Sequence, residues 1–194
     1  MSEDSVPIPN WNSRGVLPPI NSADPTSSDR SPYRVSLVDF VLRFGNTDPR
    51  RRIVAGFLDF RSALHGIGVD NGFQWLDGSF LEDIERVENR PPRDLDVVTF
   101  FRLPEGRTQR TLRDAAPNIF DKAYCEENFH VDAYFQPLDD GSPESLVARS
   151  AYWYSVWSHR RSGYWKGYLQ LDLSNTDDEI ARANINLPID EGAR

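Results

Sequence analysis

The stretch WLDGSFLEDIERVENRPPRDLDVVTFF, Trp75 to Phe101, decides how the whole chain is read. Phe73 to Leu76 predicts a strand ending at Asp77-Gly78-Ser79, with a short helical turn from Phe80. Asn89-Arg90-Pro91-Pro92 predicts a turn, and the Val, Thr and Phe content of Asp94 to Phe101 predicts a second strand. Asp94 and Asp96 stand two positions apart in it, so both side chains leave the same face. At a strand rise of about 3.3 Å per residue their Cα atoms are roughly 6–7 Å apart. Carboxylates so placed can converge on a pair of metal ions about 3.5–4 Å apart, as in-line phosphoryl chemistry requires. Magnesium prefers such hard oxygen ligands together with substrate phosphates. Leu95 and Val97 face the other way, into a core. At the earlier end of the stretch, Gly78 lets backbone approach a phosphate and the Ser79 hydroxyl can donate to it.

Toward the C-terminus, Phe129 to Phe135 predicts a strand closed by Gln136-Pro137, with a third acid, Asp132, in its interior. Acids are scarce in strand interiors unless they have a role there. Thr108 to Glu127 reads as helical with a break near Pro117, and Ser142-Pro143-Glu144 opens an aromatic-rich helix to about Ser158. Tyr164 to Leu173 alternates like a strand, and Thr176 with Glu179 forms a capping box for a last helix ending before Pro188. Toward the N-terminus, Ser31-Pro32 predicts the start of a helix with Leu37, Val38, Val41 and Leu42 on one face, stopped by Gly45. Asp48-Pro49 starts another, whose stripe is Ile53, Phe57, Phe60 and Leu64. Arg50, Arg51 and Arg52 oppose the helix dipole in its first turn and so require partners elsewhere. Residues 1–30 read as an extended leader with one apolar knot, Val16 to Ile20, strapped onto a domain of residues 31–194. Two helices followed by a mixed sheet with helices behind it make an α+β fold, an α/β two-layer plan.

The composition fits that plan. The 194 residues are 39% hydrophobic and 12% aromatic, which suits one folded domain and not a disordered chain. No apolar run reaches membrane-spanning length, and the first ten residues lack a signal-peptide pattern. Cys125 is the only cysteine, so no internal disulfide can form and the cytoplasm is the expected location. The net charge of -8 argues against a broad nucleic-acid surface, though not against a small basic pocket. Lys122 and Lys166 are the only lysines; apart from three histidines, every other basic side chain is arginine.

In this order, and on these elements, the residues resemble the minimal nucleotidyltransferases of the DNA polymerase beta-like superfamily. That signature is Gly-Ser, a spacer, Asp-X-Asp on the next strand, and an Asp on a later strand; here Gly78-Ser79, Asp94-Leu95-Asp96 and Asp132. The chain looks most like a bacterial branch with a Leu-Pro-Pro leader (Leu17-Pro18-Pro19), a Phe-Gly and arginine-rich helix (Phe44-Gly45, Arg50 to Arg52) and a closing Arg…Lys-Gly strand (Arg160, Arg161, Lys166-Gly167). The resemblance covers about residues 15–173. It implies the polymerase beta-like fold, with magnesium or manganese on Asp94, Asp96 and Asp132. It also implies a nucleoside triphosphate whose β- and γ-phosphates are held by Gly78 and Ser79, and whose nucleoside monophosphate moves to a hydroxyl as pyrophosphate leaves. Fourteen residues lie between Ser79 and Asp94, more than in the smallest members, and a longer turn around Glu85 to Asn89 absorbs the surplus.

Plainer readings stand beside these. Arg160, Arg161 and Lys166 suit a triphosphate equally with a solvated helix end. His65, His130 and His159 are too dispersed, with Cys125, for zinc; His130 is placed to orient Asp132 but reads first as structural. Tyr152, Trp153, Tyr154, Trp157, Tyr164 and Trp165 read as packing first and base stacking second. The expected acceptor is a hydroxyl of protein, RNA or a small molecule, long RNA being disfavoured by the acidic balance. The competing reading is a non-catalytic protein on the same fold, such as the antitoxin or accessory half of a bacterial toxin–antitoxin or defence pair, with a partner protein encoded nearby.

Overall fold

Two hydroxyl caps set the first helices. Ser36 accepts the Asp39 amide at the head of α1 (Leu37–Phe44), and Thr47 accepts the Arg50 amide at the head of α2 (Asp48–Gly66), where Pro49 sits in the first turn. The computed structural model describes residues 6–185. Within them, β1 (Tyr33–Arg34), β2 (Gly72–Asp77), β3 (Leu95–Phe101), β4 (Val131–Pro137) and β5 (Leu169–Asp172) form one mixed sheet in the order β1-β5-β2-β3-β4. β2 runs antiparallel to both its neighbours, while β1 with β5 and β3 with β4 are parallel. The remaining helices are α3 (Ile84–Glu88), α4 (Gln109–Ala115), α5 (Lys122–Phe129), α6 (Pro143–Trp157) and α7 (Asp178–Ile185). This is an α+β architecture.

The apolar stripe of α2 covers one face of the sheet, and Ile53, Phe57, Phe60 and Leu64 are all buried there. Phe60 meets Phe129 of α5 at 5.8 Å and Phe135 of β4 at 6.2 Å between ring centroids. The helices can approach this closely because residue 56 is glycine: a Cβ there would lie 2.2 Å from the Phe129 carbonyl oxygen. Buried polar groups on this face are paired, Arg61 donating to Gln74 at 2.8 Å and Gln74 to Thr99 at 3.1 Å. The opposite face carries Phe73, stacked on Phe100 at 4.8 Å, and Trp75, edge-on to Phe100 at 4.6 Å.

Leu42 is exposed rather than on the buried face of α1, and α7 begins at Asp178, one residue too late for Thr176 and Glu179 to form its capping box. The fold departs from the expectations in three further places. Ser31-Pro32 does not start a helix. Tyr33 and Arg34 instead pair with Leu169 and Gln170 as an edge strand, and the helix begins under the Ser36 cap. Tyr33 and Val35 are buried and Arg34 is exposed, a period-two pattern that the apolar residues further on obscure. The strand expected from Phe129 starts at Val131, because Phe129 ends α5 and His130 caps it in the left-handed conformation at φ 54°. The strand expected from Tyr164 is confined to Leu169–Asp172; before it lies only an isolated bridge between His159 and Trp165. The expected end of the last helix before Pro188 falls outside the described residues.

The leader is tied to the domain at several points. Val16 and Leu17 are buried, Leu17 O accepts the Gly167 amide at 2.7 Å, and Trp11 Nε1 donates to Leu81 O at 2.7 Å. Arg50, in the first turn of α2, is 1% exposed and has found its partners on the segment after β2. Its guanidinium grips Glu85 through Nε at 2.7 Å and Nη2 at 2.8 Å, and donates to the carbonyls of Phe80 and Glu82, each at 2.6 Å. The surplus residues of the spacer are therefore α3, whose Glu85 neutralises this buried cation.

Removing one member of such a pair leaves buried groups unsatisfied. Arg50→Met is expected to cost about 3 kcal/mol, read as a lower urea midpoint at unchanged slope. An unchanged midpoint would show that the clamp contributes nothing.

Candidate active site

Register brings together what the sequence left apart. Across the sheet Asp77 of β2 pairs with Asp96 of β3, and Asp96 pairs with Asp132 of β4. Directly paired residues on neighbouring strands share a face, and strands lie about 4.8 Å apart, so the three carboxylates stand side by side. Asp94 lies immediately before β3, two residues from Asp96. It is close enough to Asp132 that the two charges interact.

This crowding shows in the acidities. Burial, with the nearby Asp77, Asp132 and Asp94 charges, pushes the Asp96 carboxyl up to about 7 against the opposing effect of Lys166. Burial also lifts Asp77 to about 6, although Lys166 draws it down. Burial, then the Asp132 and Glu126 charges, raise Asp94 as well.

Gly78 follows Asp77 with φ at 91°, in the region that favours glycine. A Cβ at this position would lie 2.0 Å from Asp96 Oδ2. The missing side chain is thus required by the Asp96 carboxylate, a closer constraint than the approach of a phosphate. Ser79 opens a single 3₁₀ turn, Ser79–Leu81, and is half-buried beside the same row.

The basic residues divide. Lys166 is 5% exposed, and its ammonium lies 2.8 Å from Asp77 Oδ1 and 3.3 Å from Glu82 Oε1. Burial works against its charge, but Asp77 and Glu82 outweigh it and hold the ammonium above its ordinary value. Arg160 pairs with Glu82 Oε2 at 2.5 Å, so it is neither on a helix end nor free for a phosphate in this state. Arg161 is exposed and makes no ion pair among the described residues. His130, exposed at the end of α5, does not lie on β4 with Asp132. Lys122 instead donates to Asp132 Oδ2 at 2.8 Å, and the Tyr134 hydroxyl donates to the same oxygen at 3.1 Å.

Asp77, Glu82 and Lys122 were therefore missed from sequence. Asp77 carried a signal, since Phe73, Trp75 and Asp77 alternate on one side of the predicted strand. The other two are assembled by register and loop path alone. Of the aromatic cluster, Trp157 is buried, Trp153 packs on Tyr134 at 4.9 Å, and Tyr152 and Trp165 are exposed.

Among the described residues no three side chains are already drawn together as metal ligands. The surroundings nonetheless fit a divalent cation. The donors are hard carboxylate oxygens, Asp132 Oδ1 is buried with no hydrogen-bond partner, and Gly78 opens the space occupied by Asp96 Oδ2.

The family described as Family of unknown function (DUF6932) matches residues 9–172, a span that takes in the strap, all five strands and every acid and lysine of this site. The chain belongs to that family. No curated protein and no solved structure matches it. No helix among the described residues is long and apolar enough to cross a membrane.

Because Asp96 is harder to ionise folded than unfolded, the folded chain holds a proton that the unfolded chain has lost between pH about 4 and about 7. The stability this gives is complete below the unfolded value and lost as pH rises through about 7. In chelator-treated buffer Asp96→Asn should melt above wild type at pH 8, by at most a few kcal/mol, with the gap closing toward pH 4. Calorimetry across that range checks it; coincident melting at pH 8 would remove the repulsion from the account.

Proposed function

We propose that this DUF6932 protein is a magnesium-dependent nucleotidyltransferase with a polymerase beta-like site. The observation that carries the reading is the register row: Asp96 and Asp132 are direct cross-strand partners, Asp94 adjoins them, and the Gly78-Ser79 turn closes against Asp96.

Asp94, Asp96 and Asp132 hold the divalent cations, magnesium or manganese, in this reading. A bound magnesium ion supplies Lewis-acid charge to the triphosphate oxygens. Asp132 lies nearest the acceptor and favours deprotonation of its hydroxyl. Ser79 and the backbone of its turn receive the β- and γ-phosphates. Lys166 and Arg160 act through the acids they bind: they keep Asp77 and Glu82 from adding to the negative charge that a triphosphate must meet. Arg161 is the one of the three free to meet phosphate directly. The nucleoside monophosphate passes to a hydroxyl of a protein, small molecule or RNA, and pyrophosphate leaves.

One observation favours a second reading, a non-catalytic interaction protein such as the antitoxin or accessory half of a two-gene pair. α6 and the loop after it expose Val147, Tyr152, Val156 and Trp165, at 69%, 60%, 41% and 51%. Tyr152 and Val156, one helical turn apart, share a face of α6, and adjacent exposed apolar side chains suit a contact surface.

Labelling separates the two. Each of the four α-labelled triphosphates is incubated with magnesium and cell lysate, using wild type and Asp96→Asn. Labelled acceptor with wild type alone is the expected result, the mutant losing at least 100-fold, the usual scale for electrostatic stabilisation of a transition state. Labelling that persists in the mutant defeats the catalytic assignment. No labelling by either, with tight binding to a neighbouring gene's product, favours the interaction protein.

A further inference from the structure

The row of three aspartates ends in an ammonium on both sides. Lys166 sits on Asp77 at one end and Lys122 on Asp132 at the other, with Asp96 unpaired between them. These are the two lysines of a chain whose other basic side chains, apart from three histidines, are all arginine.

Lys122 is held from several directions. Its Nζ donates to Asp132 Oδ2 at 2.8 Å and to the Tyr134 hydroxyl at 3.0 Å, lies 3.6 Å from Glu126 Oε1, and stands 5.0 Å from the centre of the Tyr134 ring. The Tyr134 hydroxyl closes the triangle by donating to Asp132 Oδ2. Asp132 is thereby split into two unlike oxygens, Oδ2 with two donors and Oδ1 buried with none.

The charges then balance in a particular way. Lys166 answers Asp77, Arg160 answers Glu82, and Lys122 answers Asp132. Asp94 and Asp96 are left without an ion pair among the described residues; Glu126 and Arg93 act on Asp94 with opposite signs, and the two remaining negative charges match a single divalent cation. Two-cation phosphoryl chemistry sets its ions about 3.5–4 Å apart and needs a carboxylate free to serve the second. Here the carboxylate that would serve it already holds an ammonium.

We propose that the Lys122 ammonium stands in the place of a second metal ion, so that the resting site takes one divalent cation on Asp94, Asp96 and Asp132 Oδ1. The inference rests on the nucleotidyltransferase reading of the same site and narrows it. It makes Lys122 a positioning residue that fixes Asp132 and supplies positive charge on the acceptor side. It also accounts for a tyrosine two residues along β4 on the same face as Asp132.

Manganese binding tests it, with free Mn2+ counted by electron paramagnetic resonance as the ion is titrated into the full chain. Wild type should saturate at one ion per chain, Lys122→Met at two, and Lys122→Arg, which keeps the charge, at one. Lys122 is half exposed at the first turn of α5, so its replacement leaves the core intact, and matching melting curves verify this. Wild type and Lys122→Met both saturating at two, or both at one, overturns the role of Lys122 while leaving the metal site standing. No manganese bound by any of the three proteins overturns the metal reading and the inference together.

Discussion

Three aspartates in one register row, at the end of a sheet and largely shielded from water, cannot all stay charged without compensation. Much of the surrounding structure answers that constraint. Lys166 is buried against Asp77, and Lys122 is drawn onto Asp132. Arg160 reaches across to Glu82, so that Lys166 does not have to serve both of its acids alone. Gly78 has no side chain because Asp96 occupies the space one would need. The central carboxylate, Asp96, has no cationic partner of its own, and burial with the neighbouring charges raises it well above the ordinary carboxylate range. Negative charge is thus assembled at one point, with both lysines of the chain on its flanks.

The Gly-Ser turn is fixed by a second and quite different interaction, the buried Arg50 clamp. Helix α2 supplies the guanidinium, and the segment after β2 supplies two carbonyls and a bidentate carboxylate. The clamp links the layer of helices behind the sheet to the turn beside the aspartate row. It also gives the long spacer a structural use, since Glu85 lies in the residues that make the spacer long. The leader adds a third tie, through Trp11 to Leu81 and Gly15 to Asp83. The turn is thus held from below by α2 and from outside by the strap. Such support keeps Ser79 in place without a cap of its own.

The helices and central strands were legible in the sequence wherever the signal was local. Asp48 with Pro49, Ser142 with Pro143, and the stripe of Ile53, Phe57, Phe60 and Leu64 act within a turn or two of chain, although the cap of α2 is Thr47, one residue earlier than the expected start. The edge strand Tyr33–Arg34 was not legible, because two residues carry too little periodicity to outweigh a serine-proline start signal. His130 misled for a related reason: a left-handed cap and the first residue of a strand look alike when only side-chain type is seen.

The sequence by itself determined that Asp94 and Asp96 leave one face, since that follows from the two-residue period of a strand, and that Gly78 ends the preceding one. It indicated too that Arg50, Arg51 and Arg52 sought partners, since a cation at a helix start opposes the dipole; Arg50 found distant ones, Arg51 only the nearby Gly45 carbonyl, and Arg52 is exposed. Only the tertiary structure decided which acids became neighbours. Register sets Asp77 and Asp132 on either side of Asp96, and register depends on how β2, β3 and β4 align over α2 rather than on any residue among them. The two lysines meet that row from 44 residues apart along the chain, by loop paths that no local pattern encodes.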